Sequence, residues 1–183
     1  MTSVPRGAEQ QAGRPITRII YDGDTLAARV QELGTEIAKA YPEGELLILG
    51  LLKGSFIFLA DLVRAIPRPL VIDFLVASSY GAGTVSSGNV RLLYDPSTDL
   101  AGKHVVLVED IIDTGRTLQR LLSLLEARQP ASLAVCALLD KKMAPPIPEV
   151  RWTGFVAPPA FLVGYGLDYA ENYRHLPFIA DLG

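Results

Sequence analysis

The stretch Val105-Val106-Leu107-Val108-Glu109-Asp110-Ile111-Ile112-Asp113-Thr114-Gly115-Arg116-Thr117 decides the fold. Its first four residues are aliphatic without alternation, the pattern of a strand covered on both faces, as in a parallel sheet. From Leu118 to Arg128 the residues Leu121, Leu122 and Leu125 resume at helical spacing, so the polar residues between occupy a strand-to-helix turn. In open α/β sheets such turns lie at the carboxyl ends of the strands, where ligands bind.

Each residue type in the turn has its own use. Gly115 lets the backbone approach an anion closely, while Thr114 and Thr117 add hydroxyl donors to the free N–H groups that begin a helix. That set suits a phosphate monoester. Glu109 and Asp110 repel a bare phosphate, so they fit only if they accept hydrogen bonds from neutral hydroxyls or lie near a metal ion. A ribose diol meets that need. The turn therefore sketches a ribose 5-phosphate, with Asp113 facing the group at the anomeric carbon. The plainer alternative is a receiver-type acidic pocket, or an Asp113 that only caps its helix.

The rest of the chain alternates helix and strand, as an α/β fold should. Leu26, Val30, Leu33 and Ile37 predict a helix from Asp24, its candidate cap, to about Tyr41, with Pro42 as the stop. A strand at Leu46–Leu51 leads through Lys53-Gly54-Ser55 into a helix over Phe56–Ile66, and Leu70–Ala77 reads as the next strand. Serine and glycine crowd Ser78–Gly88 before a strand at Val90–Tyr94, and composition alone makes this connection a solvated hairpin loop. A strand at Ser132–Leu139, a proline-rich loop from Pro145 to Pro148, apolar pieces at Trp152–Val156 and Phe161–Tyr165, and a tail from Leu167 complete the chain. Gly81 and Gly83 do not make a dinucleotide fingerprint, because Ser86 holds the third glycine position and no helical pattern follows. Thr114-Gly115-Arg116-Thr117 is not a Walker loop, lacking the upstream glycine and the lysine.

With 183 residues, 49% of them hydrophobic and 20% charged, the chain has the make-up of one globular domain, expected over residues 16–183 after a flexible arm at 1–15. The net charge of −3 supplies no overall pull toward nucleic acid or an anionic membrane. Cys136, the single cysteine, sits in an apolar run and reads as a small buried hydrophobe, in keeping with a reducing cytosol. Residues 1–15 are polar and lack the apolar core of a signal peptide, and no apolar run has the length of a bilayer span. His104 and His175 show no zinc-ligand spacing.

The turn resembles the phosphoribosyl diphosphate (PRPP) motif of type I phosphoribosyltransferases, and Glu109-Asp110-Ile111-Ile112-Asp113-Thr114-Gly115 is similar to that of the hypoxanthine-guanine branch. The resemblance runs from about Ile16 to Ile179. It includes Leu51-Leu52-Lys53-Gly54-Ser55, Ser78-Ser79-Tyr80-Gly81, Leu138-Leu139-Asp140-Lys141 and Gly164-Tyr165-Gly166-Leu167-Asp168-Tyr169, in the family's order. It implies an α/β fold with a five-stranded parallel core sheet flanked by helices, and a small hood drawn mainly from about 141–183, with N-terminal residues as a further source. It also implies purine salvage in the cytoplasm, by transfer of the 5-phosphoribosyl group from PRPP to hypoxanthine or guanine with Mg2+, in a homodimer or homotetramer.

The same resemblance assigns roles. Glu109 and Asp110 take the ribose and, with Asp168, the metal; Asp113, Thr114, Gly115, Arg116 and Thr117 take the 5′-phosphate. Asp113 also relays the purine proton. Lys53, Gly54 and Arg174 take the diphosphate, with a non-proline cis peptide at Leu52-Lys53. Phe161 stacks on the purine, Lys141 donates to its 6-oxo group, and the backbone of Leu162 and Asp168 meets its edge. Ser79 and Tyr80 belong to a lid that excludes water. The chain departs from the family pattern at Pro159-Ala160, where many members carry Asp-Lys before the stacking aromatic. Two rival readings are a xanthine-preferring enzyme of the same fold and an RNA-binding regulator. The second needs a basic face, which 17 Lys and Arg against 20 Asp and Glu do not favour.

Overall fold

The computed structural model describes residues 14–79, 90–143 and 145–183. Its elements run β1 (Arg18–Tyr21), α1 (Gly23–Ala40), β2 (Leu46–Leu52), α2 (Phe56–Ala65), β3 (Val71–Ser79), β4 (Val90–Tyr94), β5 (His104–Ile112), α3 (Arg116–Glu126), β6 (Ser132–Asp140), β7 (Val150–Val156), β8 (Leu162–Val163) and β9 (Ile179–Asp181).

The main sheet has the order β4-β3-β2-β5-β6-β7. All neighbours pair in parallel except β4, which runs antiparallel to β3 at the edge. The expected five-stranded parallel core is therefore β3-β2-β5-β6-β7. Its aliphatic runs show no alternation because both faces are covered. Leu46, Ile48, Val106, Val108, Ala134 and Cys136 pack toward α1 and α2. Leu47, Leu49, Val105, Leu107, Val135 and Ala137 pack toward Leu118, Leu121, Leu122 and Leu125 of α3. Cys136 is buried and free, as its apolar run predicts.

The chain leaves β2 toward β3 on one side, and from β5 it proceeds to β6 and β7 on the other. The winding thus reverses between β2 and β5, and the carboxyl ends of these neighbours part to leave a crevice. Lys53 and Gly54 follow the first strand and Asp113 to Gly115 follow the second.

Two details differ from the sequence reading. The piece expected at Trp152–Val156, inside the range given to the hood, is the outer strand of the main sheet, because Trp152 is buried in the core beneath α1. The small second sheet, of order β1-β9-β8, joins the N-terminal Arg18–Tyr21 to the extreme C-terminal residues. Asp22 rather than Asp24 caps α1, its Oδ1 accepting from Thr25 N at 2.8 Å. Asp24 sits in the first turn, where its charge suits the helix dipole. Most of the expected arm and most of Ser78–Gly88, including Tyr80, lie outside the described residues. Ser79 ends β3, opposite Val90 of β4 in an antiparallel pair. No described helix is long and apolar enough to cross a membrane.

Candidate active site

The crevice holds a cavity of about 390 Å³ whose walls include Lys53, Gly54, Glu109, Asp110, Asp113, Thr114, Gly115, Thr117, Asp168 and Arg174. A smaller cavity of about 200 Å³ adjoins it, lined by Lys141, Ala160, Phe161, Leu162 and Leu167. The two share Asp110, Ile111 and Asp168 as a common wall. The expected phosphate, ribose and diphosphate residues other than Arg116 thus line the first space, and the expected base residues line the second.

Gly115 starts α3 with φ of 70°, a left-handed conformation that suits glycine, and no side chain caps the helix. The positive end of the helix dipole therefore opens onto the cavity, where an anion is favoured. The Arg116 side chain is exposed and is not part of the cavity wall, so the turn offers only the backbone of that residue.

Beneath the turn, burial pushes the Glu109 carboxyl well above the usual carboxylate range, and the neighbouring Asp110 charge adds to the effect. Asp110 is also raised by burial, against the opposing pull of the Ile111 N–H, which donates to its Oδ1 at 2.9 Å. Gly54 packs directly on this acid pair: a Cβ at residue 54 would lie 1.6 Å from Asp110 Oδ2. The peptide Leu52-Lys53 before it is cis, as the resemblance implied.

Arg174 reaches the opposite wall from the tail. Its Nη1 donates to Gly166 O at 2.7 Å, and its Nη2 lies 2.8 Å from Asp168 Oδ1. Among the described residues, two buried side-chain polar atoms have no partner, Glu109 Oε2 and Arg174 Nε. One accepts and the other donates, and both belong to residues of the same cavity wall. Such atoms are costly to leave unpaired, so the cavity is complementary to a ligand carrying hydroxyls and an anion.

At the base end, the loop after β6 is fixed by Asp140, whose Oδ1 accepts from Lys142 N at 2.7 Å while Lys141 N donates to Ile112 O at 2.9 Å. Lys141 is thereby directed over the turn, with Nζ 3.2 Å from Asp113 Oδ2. Phe161 is 48% exposed, leaving a ring face for a ligand, and Tyr169 meets it edge-on with centroids 5.6 Å apart. The guanidinium of Arg14 covers the Tyr169 ring at 5.3 Å. Pro158-Pro159-Ala160 makes a tight turn, with Ala160 N donating to Pro158 O at 2.8 Å, and places Ala160 in the base-side wall.

No three His, Cys, Asp or Glu among the described residues gather into a metal-binding group, so Glu109, Asp110 and Asp168 do not form a cage by themselves. The unpartnered Oε2 of Glu109 beside a second carboxylate nevertheless fits a hard divalent cation whose shell is completed by water and ligand oxygens.

The family model described as phosphoribosyl transferase domain matches residues 17–170. The chain belongs to the phosphoribosyl transferase family. It is 46% identical over 165 residues to the hypoxanthine phosphoribosyltransferase of Haemophilus influenzae, covering 88% of this chain and 92% of that one. It is 45% identical over 169 residues to the hypoxanthine-guanine phosphoribosyltransferase of Dictyostelium discoideum, covering 90% and 94%. Among solved structures, a hypoxanthine-guanine phosphoribosyltransferase from Bacillus anthracis superposes with a TM-score of 0.87 at 41% identity, over 92% of this chain and 99% of that chain. A hypoxanthine phosphoribosyltransferase from Staphylococcus aureus gives 0.87 at 38% identity, over 92% of each chain.

Contributors to this phosphoribosyltransferase site that the sequence reading missed include Ile111 and Glu171. Ile111 forms part of the wall between the two cavities, and Glu171 Oε2 lies 3.2 Å from Lys53 Nζ. The available signal for Glu171 was its place three residues before Arg174; on an irregular tail that spacing carries little weight.

Proposed function

We propose that this phosphoribosyltransferase transfers the 5-phosphoribosyl group from PRPP to hypoxanthine or guanine, releasing diphosphate and forming IMP or GMP. The observation that carries the reading is the complementary pair of unpartnered atoms, Glu109 Oε2 and Arg174 Nε, beside an uncapped helix start. A ribose diol, a diphosphate and a 5′-phosphate together answer all three.

The turn from Asp113 to Thr117 holds the 5′-phosphate on backbone N–H groups and the Thr114 and Thr117 hydroxyls. Glu109 and Asp110 accept from the ribose hydroxyls. Lys53, the backbone at Gly54, and Arg174 stabilise the charge that builds on the departing diphosphate as the anomeric carbon becomes oxocarbenium-like. Bound Mg2+, held through Glu109, Asp110 and, by way of water, Asp168, would neutralise further charge on that group. Phe161 stacks on the purine and the backbone of Leu162 and Asp168 meets its edge. Lys141 donates to the 6-oxo oxygen, and an amino group there would meet a cation with no acceptor to offer. Asp113 moves the imidazole proton as the new carbon–nitrogen bond forms.

This reaction belongs to cytoplasmic purine salvage, and we place the enzyme there as a homodimer or homotetramer. Val71, Ile72 and Phe74 of β3 and Leu93 and Tyr94 of β4 are exposed apolar residues that support self-association. Light scattering after gel filtration tests the assembly.

Mixing the protein with PRPP, Mg2+ and one base at a time, then identifying nucleotide by mass, tests the reaction. IMP or GMP is the expected product. Formation of XMP alone would support the xanthine reading, and no nucleotide with any base would overturn the assignment.

A further inference from the structure

The geometry points to Glu171 as an internal competitor for the diphosphate, a carboxylate that holds the two cations which the leaving group must take. This inference rests on the assignment of Lys53 and Arg174 to diphosphate. Glu171 Oε2 lies 3.2 Å from Lys53 Nζ and 3.4 Å from Arg174 Nη2. Both cations line the main cavity and also a second, open hollow that they share with Glu171, Leu52 and Phe56.

The charges balance in this arrangement. Lys53 and Arg174 face Glu171 and Asp168, two positive groups against two negative ones. A diphosphate entering beside that neutral set meets cations already paired with carboxylates. The two acids are not equally free to leave. Asp168 is tied by both oxygens, Oδ1 to Arg174 and Oδ2 to the Glu171 N–H at 2.8 Å. The Glu171 side chain is 66% exposed, and its carboxylate is held by these two flexible cations. Its head group can therefore swing into water when a stronger anion arrives, while its backbone stays pinned to Asp168.

The consequence is an enzyme whose grip on diphosphate is deliberately loosened. Each binding event must break two exposed ion pairs, and each release is helped by their re-formation. Glu171 thus acts on substrate and product affinity through Lys53 and Arg174, as a positioning residue that does not touch the reacting atoms.

Titration calorimetry with magnesium diphosphate on the wild type, Glu171→Gln and Glu171→Gly tests this. Glutamine keeps the shape without the charge, and glycine suits the positive φ of 66° at this residue. Both variants are expected to bind diphosphate about three- to tenfold more tightly, the range that two exposed ion pairs span, and the gain should shrink at high ionic strength. The KM for PRPP should fall by a similar factor, with that for hypoxanthine unchanged. Equal or weaker diphosphate binding in both variants would overturn the inference, leaving Glu171 an ordinary surface ion pair. That failure is distinct from failure of the function, which would appear as a wild type that binds diphosphate yet makes no nucleotide from any base.

Discussion

Lys141 Nζ lies 3.2 Å from Asp113 Oδ2, so the cation proposed to read the purine and the acid proposed to move its proton are partners before any base binds. They come from the ends of adjacent parallel strands, β5 and β6, and the register of that pairing sets their separation. In the proposed binding mode, a base entering between Phe161 and this pair would meet a donor and an acid in one step.

Asp113→Asn should lower turnover by about 10²- to 10⁴-fold, the usual contribution of a positioned acid or base. The amide keeps the size of the turn, so the KM for PRPP should change little. Steady-state kinetics in both substrates make the check. Wild-type turnover in the variant would remove Asp113 from the proton path.

Gly54→Ala should abolish PRPP binding. A methyl at residue 54 would sit 1.6 Å from Asp110 Oδ2, and the Gly54 carbonyl is itself packed against Gly166. The methyl fits only if the Asp110 carboxylate leaves its place in the cavity wall. A thermal shift with PRPP and Mg2+ should stabilise the wild type and leave the variant unmoved; an equal shift in both would show that the contact is dispensable.

Glu109→Gln should stabilise the ligand-free protein near neutral pH. Burial and the Asp110 charge raise the folded Glu109 carboxyl well above 4.5. Between that ordinary value and the raised one, the unfolded chain has released the proton and the folded chain has kept it, so wild-type stability falls as pH rises through this window. Above the raised value the loss is complete. The variant lacks this slope, and its melting temperature should exceed that of the wild type by more at about pH 7 than at about pH 5. Parallel melting curves would contradict the account of a strained acid.

Phe161→Ala should raise the KM for hypoxanthine and spare that for PRPP. Base–aromatic stacking contributes about 1–3 kcal/mol, or roughly five- to 150-fold in affinity. Tyr169 meets Phe161 edge-on under the Arg14 guanidinium, so Tyr169→Ala should give a smaller change in the same direction. Unchanged base KM in both variants would exclude Phe161 as the stacking platform.

The central fold was legible because burial writes itself into sequence. The runs at 46–52, 105–108 and 132–139 are aliphatic on both faces, and the leucines of α3 repeat at helical spacing. The turn between them was legible as the strand-to-helix junction that walls the cavity, because polar residues there interrupt one apolar pattern and precede another. The small sheet was not legible. Its strands β1 and β9 have four and three residues, too short for a period to emerge, and their partners lie at opposite ends of the chain. Asp22 and Asp24 both suit the start of α1, and only the hydrogen bond from Thr25 separates them. Glu171 escaped because its role depends on Lys53, which the tail meets only after folding.

The most direct test of the account is a crystal structure of the protein with a bound purine nucleoside monophosphate. The account predicts ribose hydroxyls donating to Glu109 and Asp110, and a phosphate held by the amides from Asp113 to Thr117. Carboxylates turned away from the sugar, or a phosphate bound elsewhere, would contradict it.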